Sequence, residues 1–279
     1  MKKEKYDFIF SLGAACSCSV LLRELGLQYA SFPLDWVGNI HEKSSTAFLK
    51  SAELIAKSFP NWMKKENLVR KPSDDTPHHL GYFDSGTDLF CVHEFMTGGN
   101  FESEYPSVAE KYARRIKRFN QLLSTSKKVL AVWISDPRAD GEVSEKDICK
   151  VLETLSAAYP KIKFHLFVAN LKKNALPASK EATFICQENF VSYSFDYRTI
   201  ADDPQAWAIN NDLFRPLFKK YRTKDYRTRA EKRANAKREK AKAYEKFKAT
   251  STLDFLLTKL KFRIYRHLEK RLTKKGILQ

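Results

Sequence analysis

The sequence predicts an α/β fold, a largely parallel sheet covered by helices on both faces, continued by a basic helical C-terminal arm. Two features of the chain point there. Short apolar runs of four to seven residues alternate with helical stretches of twelve or more, the pattern of parallel strands joined by helical crossovers. Charge is also segregated: from Lys219 to Gln279 there are 22 Lys and Arg against 6 Asp and Glu, so this segment holds +16 of the net +17. The expected division is therefore an α/β domain over residues 1–218, the part able to hold a catalytic site, and a basic arm over 219–279.

Each element follows from local pattern. Tyr6 to Phe10 is a buried strand, and the turn Ser11-Leu12-Gly13 leads into a helix with Val20, Leu21, Leu22 and Leu25, ended by Gly26. Ser31 to Trp36 is a loop, because Pro33 disfavours helix before it. Lys43 to Ala56 is helical, and Asn61 to Thr87, rich in Pro, Asp, His and Gly, reads as an irregular connection. Leu89 to Phe95 is a second strand and Ser107 to Leu123 a helix carrying Arg114, Arg115 and Arg118. Lys128 to Ile134 is a third strand, Ser144 to Ala158 a helix with an acidic first turn, and Lys163 to Val168 a fourth strand; Ala182 to Cys186 makes a weaker fifth. In such sheets ligands bind beyond the carboxyl ends of the strands, which puts Ser11 to Cys16, His93 and Ser135-Asp136 on one rim.

The arm has two parts. Arg227 to Lys248 is a Lys/Arg/Ala/Glu run suited to a solvated helix. Beyond it Leu253, Leu257, Leu260, Ile264 and Leu268 form one apolar stripe, flanked by Lys259, Lys261, Arg263, Arg266, Lys270 and Arg271. A leucine face beside a cationic face is the interfacial membrane pattern, so an acidic membrane surface is the expected partner. Packing on the body or on a second copy comes next, and nucleic acid last, since no stacking aromatics interleave the basic residues. The N-terminal apolar run is too short for a signal peptide, no segment approaches the roughly 20 apolar residues of a membrane span, and five irregularly spaced cysteines do not form a disulfide framework. The expected location is the cytoplasm, peripheral on the inner membrane.

Cys16 is the leading candidate for chemistry. It follows a strand and a glycine turn at the first turn of a helix, where free amides and the helix dipole favour a thiolate. A thiolate nucleophile needs a base and an orienting acid. His93, in the second strand, is the candidate base, and Asp35, Glu94 and Asp136 are the candidate carboxylates. Cys18, Cys91, Cys149 and Cys186 read as core, and His165 as structural. His78-His79 with Asp74 and Asp75 lacks the spacing of a metal site, and no metal is expected.

Ser11-Leu12-Gly13, Cys16, Leu22-Arg23, Gly26-Leu27, Ser31, Pro33 and Asp35-Trp36 together resemble the opening of a bacterial family described as papain-like cysteine peptidases (DUF1796), with Leu34 in place of the usual Phe. His93-Glu94 resembles its second motif, and Tyr112 to Phe119 its Arg-rich helix. The resemblance covers roughly residues 6–170 and leaves out the arm. It implies Cys16 as nucleophile and His93 as base, with Asp35 or Glu94 assisting, and an association with surface-polysaccharide or lipopolysaccharide biosynthesis. The papain-like description implies an α+β architecture; the alternation of elements predicts parallel α/β instead.

Three functions follow as expectations. The first is a Cys-dependent acyl transferase or hydrolase acting on a cell-envelope glycan or glycolipid, with amides near Gly13 holding the oxyanion and no cofactor required. The second is a non-covalent transferase in which Ser11, Gly13, Trp36 and Asp136, with Arg114, Arg115 and Arg118, bind a phosphate-bearing donor such as coenzyme A or a nucleotide sugar. The third is a nucleic-acid-binding module.

Overall fold

A computed structural model describes residues 3–38, 43–136, 139–172, 182–196, 214–248, 257, 259–264 and 266–267. The chain divides into two compact units, Met1–Asp225 and Tyr226–Gln279.

The first unit is built on a five-stranded sheet. Its strands are β2 (Phe8–Ser11), β7 (Lys128–Ile134), β8 (Lys163–Lys172), β10 (Phe190–Asp196) and β9 (Ala182–Cys186), hydrogen-bonded in that order. The first four run parallel and β9 is an antiparallel edge. Register is fixed by Ile9 opposite Leu130, Val132 opposite Phe167 and Phe167 opposite Val191, all on one face. That face is covered by Cys18, Leu21 and Leu22 of helix α1 (Cys16–Glu24) and by Phe214 and Phe218 of the short helix α5 (214–218). The opposite face carries Phe8, Phe10 and Trp133. Phe119 of α3 (Phe101–Thr125) stands edge-on to both phenylalanines, and Phe48 of α2 (Ser44–Ala56) to the tryptophan. Helix α4 (Glu145–Ala158) packs beside α2 and starts at a capping box of Ser144 and Asp147. The predicted sheet with helices on both faces is what the chain forms.

Several elements depart from the local reading. Asp7 divides the first strand into β1 (Glu4–Tyr6) and β2, because its carboxylate accepts the amides of Lys127 and Lys128 instead of pointing away. The connection read as irregular holds β4 (Leu68–Arg70) and β5 (His79–Asp84). With β3 (Val37–Gly38) and β6 (Leu89–Met96) they form a second, antiparallel sheet in the order β3-β6-β5-β4. Helix α3 begins before Pro106, at an Asn100 side chain that accepts the Ser103 amide. Strand β10 has no counterpart in the sequence reading. Strand β11 (Tyr221–Thr223) pairs in parallel with β1, so the first unit takes in residues that charge alone assigns to the arm. Cys149 and Cys186, read as core, are exposed, whereas Cys18 and Cys91 are buried.

In the second unit, α6 (Arg229–Lys248) starts at a reciprocal Thr228–Glu231 cap. Residues 257, 259–264 and 266–267 are helical. No helix among the described residues is long and apolar enough to cross a membrane.

Candidate functional site

Strand β2 delivers the chain to the carboxyl edge of the parallel sheet, where Ser11 pairs with Val132 and the Leu12 amide donates to Val132 O at 2.8 Å. The next two residues are left-handed, Gly13 at φ 106° and Ala14 at φ 71°. Glycine takes this conformation freely, but a non-glycine residue there stores on the order of 1 kcal/mol of strain. Ala14 is buried, so surrounding packing holds the turn in place. Ala15 returns to extended backbone as the helix N-cap, and Cys16 is the first residue of α1, half-buried. The turn thus sets Cys16 at the N-terminus of α1, the positive end of the helix dipole.

The Ser31–Trp36 loop is fastened against the same helix. Ser19 Oγ lies 3.1 Å from Cys16 O and 3.0 Å from Asp35 O. Asp35 is fully buried, and its Oδ2 accepts from Arg23 Nη2 at 2.6 Å, Gln28 Nε2 at 2.7 Å and the Phe32 amide at 2.8 Å. Burial raises the pKa of this carboxyl; Arg23, the Phe32 amide and Gln28 pull it back without cancelling the rise. The Arg23 guanidinium also lies over the Trp36 ring, 5.2 Å from its centroid.

Strand β3 follows this loop directly and pairs antiparallel with β6, Val37 opposite Cys91, which brings the loop alongside His93. The Trp36 and His93 rings meet edge to face at 5.8 Å. On the neighbouring strand, His79 stands edge-on to His93 at 5.5 Å. The pKa of His93 is lowered, first by burial and then by His79, with Glu94 opposing. Contacts therefore run from the Cys16 turn through Ser19, Asp35 and Trp36 to His93, gathering residues from the two sheets.

Other predicted residues are placed differently. Glu94, next to His93, projects to the opposite side of β6. There its carboxylate accepts from Tyr112 Oη at 2.7 Å and pairs with Lys111 and with Arg115 at 3.2 Å, all on α3. It is committed to holding α3, not to orienting His93. Arg115 is thereby engaged, Arg114 pairs with Glu110 one turn earlier, and Arg118 donates to Ser31 O at 3.3 Å. Gly13 donates its amide to Ser11 Oγ at 3.1 Å, which removes one donor from a phosphate cradle. Asp136 is buried just past β7, and the preceding Ser135 Oγ accepts the Leu171 amide, so this corner lies at the same carboxyl edge as Ser11. Among the described residues, no three His, Cys, Asp or Glu side chains converge as a metal site.

Sequence reasoning missed Ser19 and Gln28, gave Arg23 no role, and weighed His79 only as a metal ligand. Arg23 sits within the Leu22-Arg23 pattern that was legible, but its pairing with Asp35 spans a loop. His79 lay in the stretch read as irregular, so its strand pairing was invisible. Cys18 and His165 are structural: the buried Cys18 thiol, pushed up to about 12 by burial, reaches Val132 O, and His165 Nδ1 lies 3.1 Å from Tyr6 Oη.

In the arm, Leu257, Leu260 and Ile264 are each more than half exposed. Lys261 and Arg263 are exposed beside them, while Leu253 and Leu268 lie outside the described residues. Phe262 is also exposed; at 100° per residue it lies on roughly the opposite side of the helix from Leu260 and Ile264.

A family model described as "Putative papain-like cysteine peptidase (DUF1796)" matches residues 7–174. The chain is 29% identical over 163 residues to a protein of Acanthamoeba polyphaga mimivirus described as "Uncharacterized protein R408", covering 53% of this chain and 70% of that one. No solved structure matches the chain.

Proposed function

For this chain, which belongs to the family described as "Putative papain-like cysteine peptidase (DUF1796)", we propose that Cys16 is the nucleophile of a hydrolysis or acyl transfer on a cell-envelope glycan or glycolipid. The observation that carries this reading is the placement of Cys16: the first residue of α1, after a left-handed two-residue turn at the carboxyl edge of the parallel sheet. His93, reached from that turn through Ser19, Asp35 and Trp36, is the base.

In the first step the Cys16 Sγ attacks an acyl carbonyl and its proton passes to His93. The carbonyl electrons collect on oxygen, facing the amides of the first turn of α1. As the carbonyl reforms, the bond to the leaving group breaks, and that group takes the proton from His93. A thioester on Cys16 remains. Water or an acceptor hydroxyl then attacks it, giving its proton to His93 and releasing the thiolate, which recovers the proton. Water makes the protein a hydrolase; a sugar hydroxyl makes it a transferase.

The non-covalent transferase has less support. Gly13 N–H is already donated, and Arg114 and Arg115 face carboxylates of the protein itself. Coenzyme A or a nucleotide sugar enters only as an acyl or glycosyl donor in that reading.

The second unit supplies the location. Exposed Leu257, Leu260 and Ile264 with Lys261 and Arg263 suit an anionic bilayer surface, where apolar side chains insert and cations meet headgroups. With the full chain, Leu260→Ser with Ile264→Ser should abolish cosedimentation with phosphatidylglycerol vesicles, whereas Phe262→Ser should leave it largely intact. Equal loss in both variants would remove the assigned membrane face. Incubation with activated acyl donors should leave a thioester on Cys16 by mass spectrometry, absent in Cys16→Ala. Acyl turnover by a folded Cys16→Ala protein would end the covalent mechanism.

A further inference from the structure

On the reading of His93 as the base for Cys16, we infer that His79 is the positioning residue of His93, held edge-on against it across two strands, in place of an orienting carboxylate.

Two of the three candidate carboxylates are committed elsewhere, and the third, Asp136, is buried just past β7. Asp35 is taken by Arg23, Gln28 and the Phe32 amide, and Glu94 by Tyr112, Lys111 and Arg115. Among the described residues, the rings standing against His93 are Trp36, from the loop before β3, and His79, from β5.

That meeting is a product of irregular pairing. His79 opposes Met96 and Leu80 opposes Phe95, yet Tyr82 opposes Cys91, so the register shifts between Leu80 and Tyr82. Val92, His93 and Glu94 therefore face Gly81 alone. In an unbroken ladder His79 shares the face of Met96, and His93, an odd number of residues away, takes the other. The bulge re-aims side chains, as bulges do beside functional sites, and lets the two rings meet. Gly81 suits the position: a Cβ there would stand 2.8 Å from both Asp74 Cβ and Lys71 O.

Charge on the His79 ring disfavours protonation of His93. The charged or titratable groups around His93 are His79 on β5, Glu94 beside it on β6, and Arg23 beyond the neutral Trp36 ring. Burial and His79 both lower the pKa of His93, against Glu94, which keeps the ring neutral and able to accept the thiol proton.

The experiment is an imidazole NMR titration of the full chain, which has six histidines, alongside the pH profile of Cys16 alkylation by iodoacetamide. His79→Phe keeps a ring edge without charge, and His79→Gln removes the ring. In both, the His93 midpoint should move up while staying below the ordinary histidine value, because burial persists. The inflection in Cys16 alkylation that disappears in His93→Ala should move by the same amount. An unmoved His93 midpoint in both folded variants overturns the inference. If the midpoint moves but Cys16 alkylation ignores both His79→Phe and His93→Ala, the imidazole pair stands and the Cys16–His93 mechanism falls.

Discussion

Removing Arg23 should destabilise the first unit by about 3.5–4 kcal/mol, because it strips a fully buried carboxylate of the one cation paired with it among the described residues. Asp35 has no exposure, and its Oδ2 receives three donors, of which only Arg23 carries charge. Breaking a buried pair costs about 3–5 kcal/mol when the remaining charge is uncompensated. The Arg23 side chain is 29% exposed, so water already shares its solvation and the low end applies. The lost stacking over Trp36 adds about 0.5–1 kcal/mol. For a unit of this size, each kcal/mol lowers the melting temperature by about 2–4 °C, so Arg23→Ala should melt about 7–16 °C lower.

The pH dependence has a definite sign. A carboxyl whose pKa is raised on folding binds its proton more tightly in the folded state, so its ionised form costs stability and protonation restores it as pH falls. Loss of Arg23 raises that pKa further. The deficit of Arg23→Ala should therefore be largest near neutral pH and shrink on acidification. Urea unfolding of the full chain, followed by tryptophan fluorescence near pH 7.5 and near pH 5, measures both quantities. Asp35→Asn, which keeps an acceptor for the Phe32 amide and leaves Arg23 beside Ser31 Oγ at 3.2 Å, should cost less than half as much. An Arg23→Ala deficit under about 1 kcal/mol, or one equal at both pH values, would refute the picture of a desolvated pair.

Three further outcomes are expected. Glu94→Gln should cost about 2–3 kcal/mol, since Lys111 and Arg115 lose their carboxylate, and the His93 midpoint should move down, because Glu94 is the group that holds it up; an unmoved midpoint would separate the two residues. Phe119→Ala should cost about 3–5 kcal/mol in denaturant, because the ring packs against Phe8, Phe10, Phe32 and Phe59, and a loss near 1 kcal/mol would mean the site refills. Burial pushes the Asp7 carboxyl up, but Lys224 and the amides of Lys127 and Lys128 outweigh it and hold it at about 2. This lowered value gives about 2 kcal/mol of stability, present above the unfolded value of 3.8 and lost as pH falls toward 2; Asp7→Asn should flatten that part of the acid-unfolding curve.

What the sequence determined by itself was local or additive. The strand, glycine turn and helix around Cys16 are specified by neighbours along the chain: apolar strand residues, a glycine free to take φ 106°, and leucines at helical spacing ending at Gly26. The parallel core was legible because strands buried on both faces read as continuous apolar runs, as in Lys128 to Ile134. The concentration of charge in the arm is a sum over residues and needs no structure. The tertiary structure decided what depends on pairing between distant segments. Strands β4 and β5, only partly buried and set among turn residues, carry little periodicity of their own and become strands because β6 and its neighbours supply their hydrogen bonds. His79 became visible beside His93 only through the shifted register between those strands. Alternation along β6 separates His93 from Glu94, but only the packing of α3 and of the Trp36 loop says which side faces the Cys16 turn. A side chain's type is written in the chain, whereas its partner is fixed by which elements the folded core brings against it.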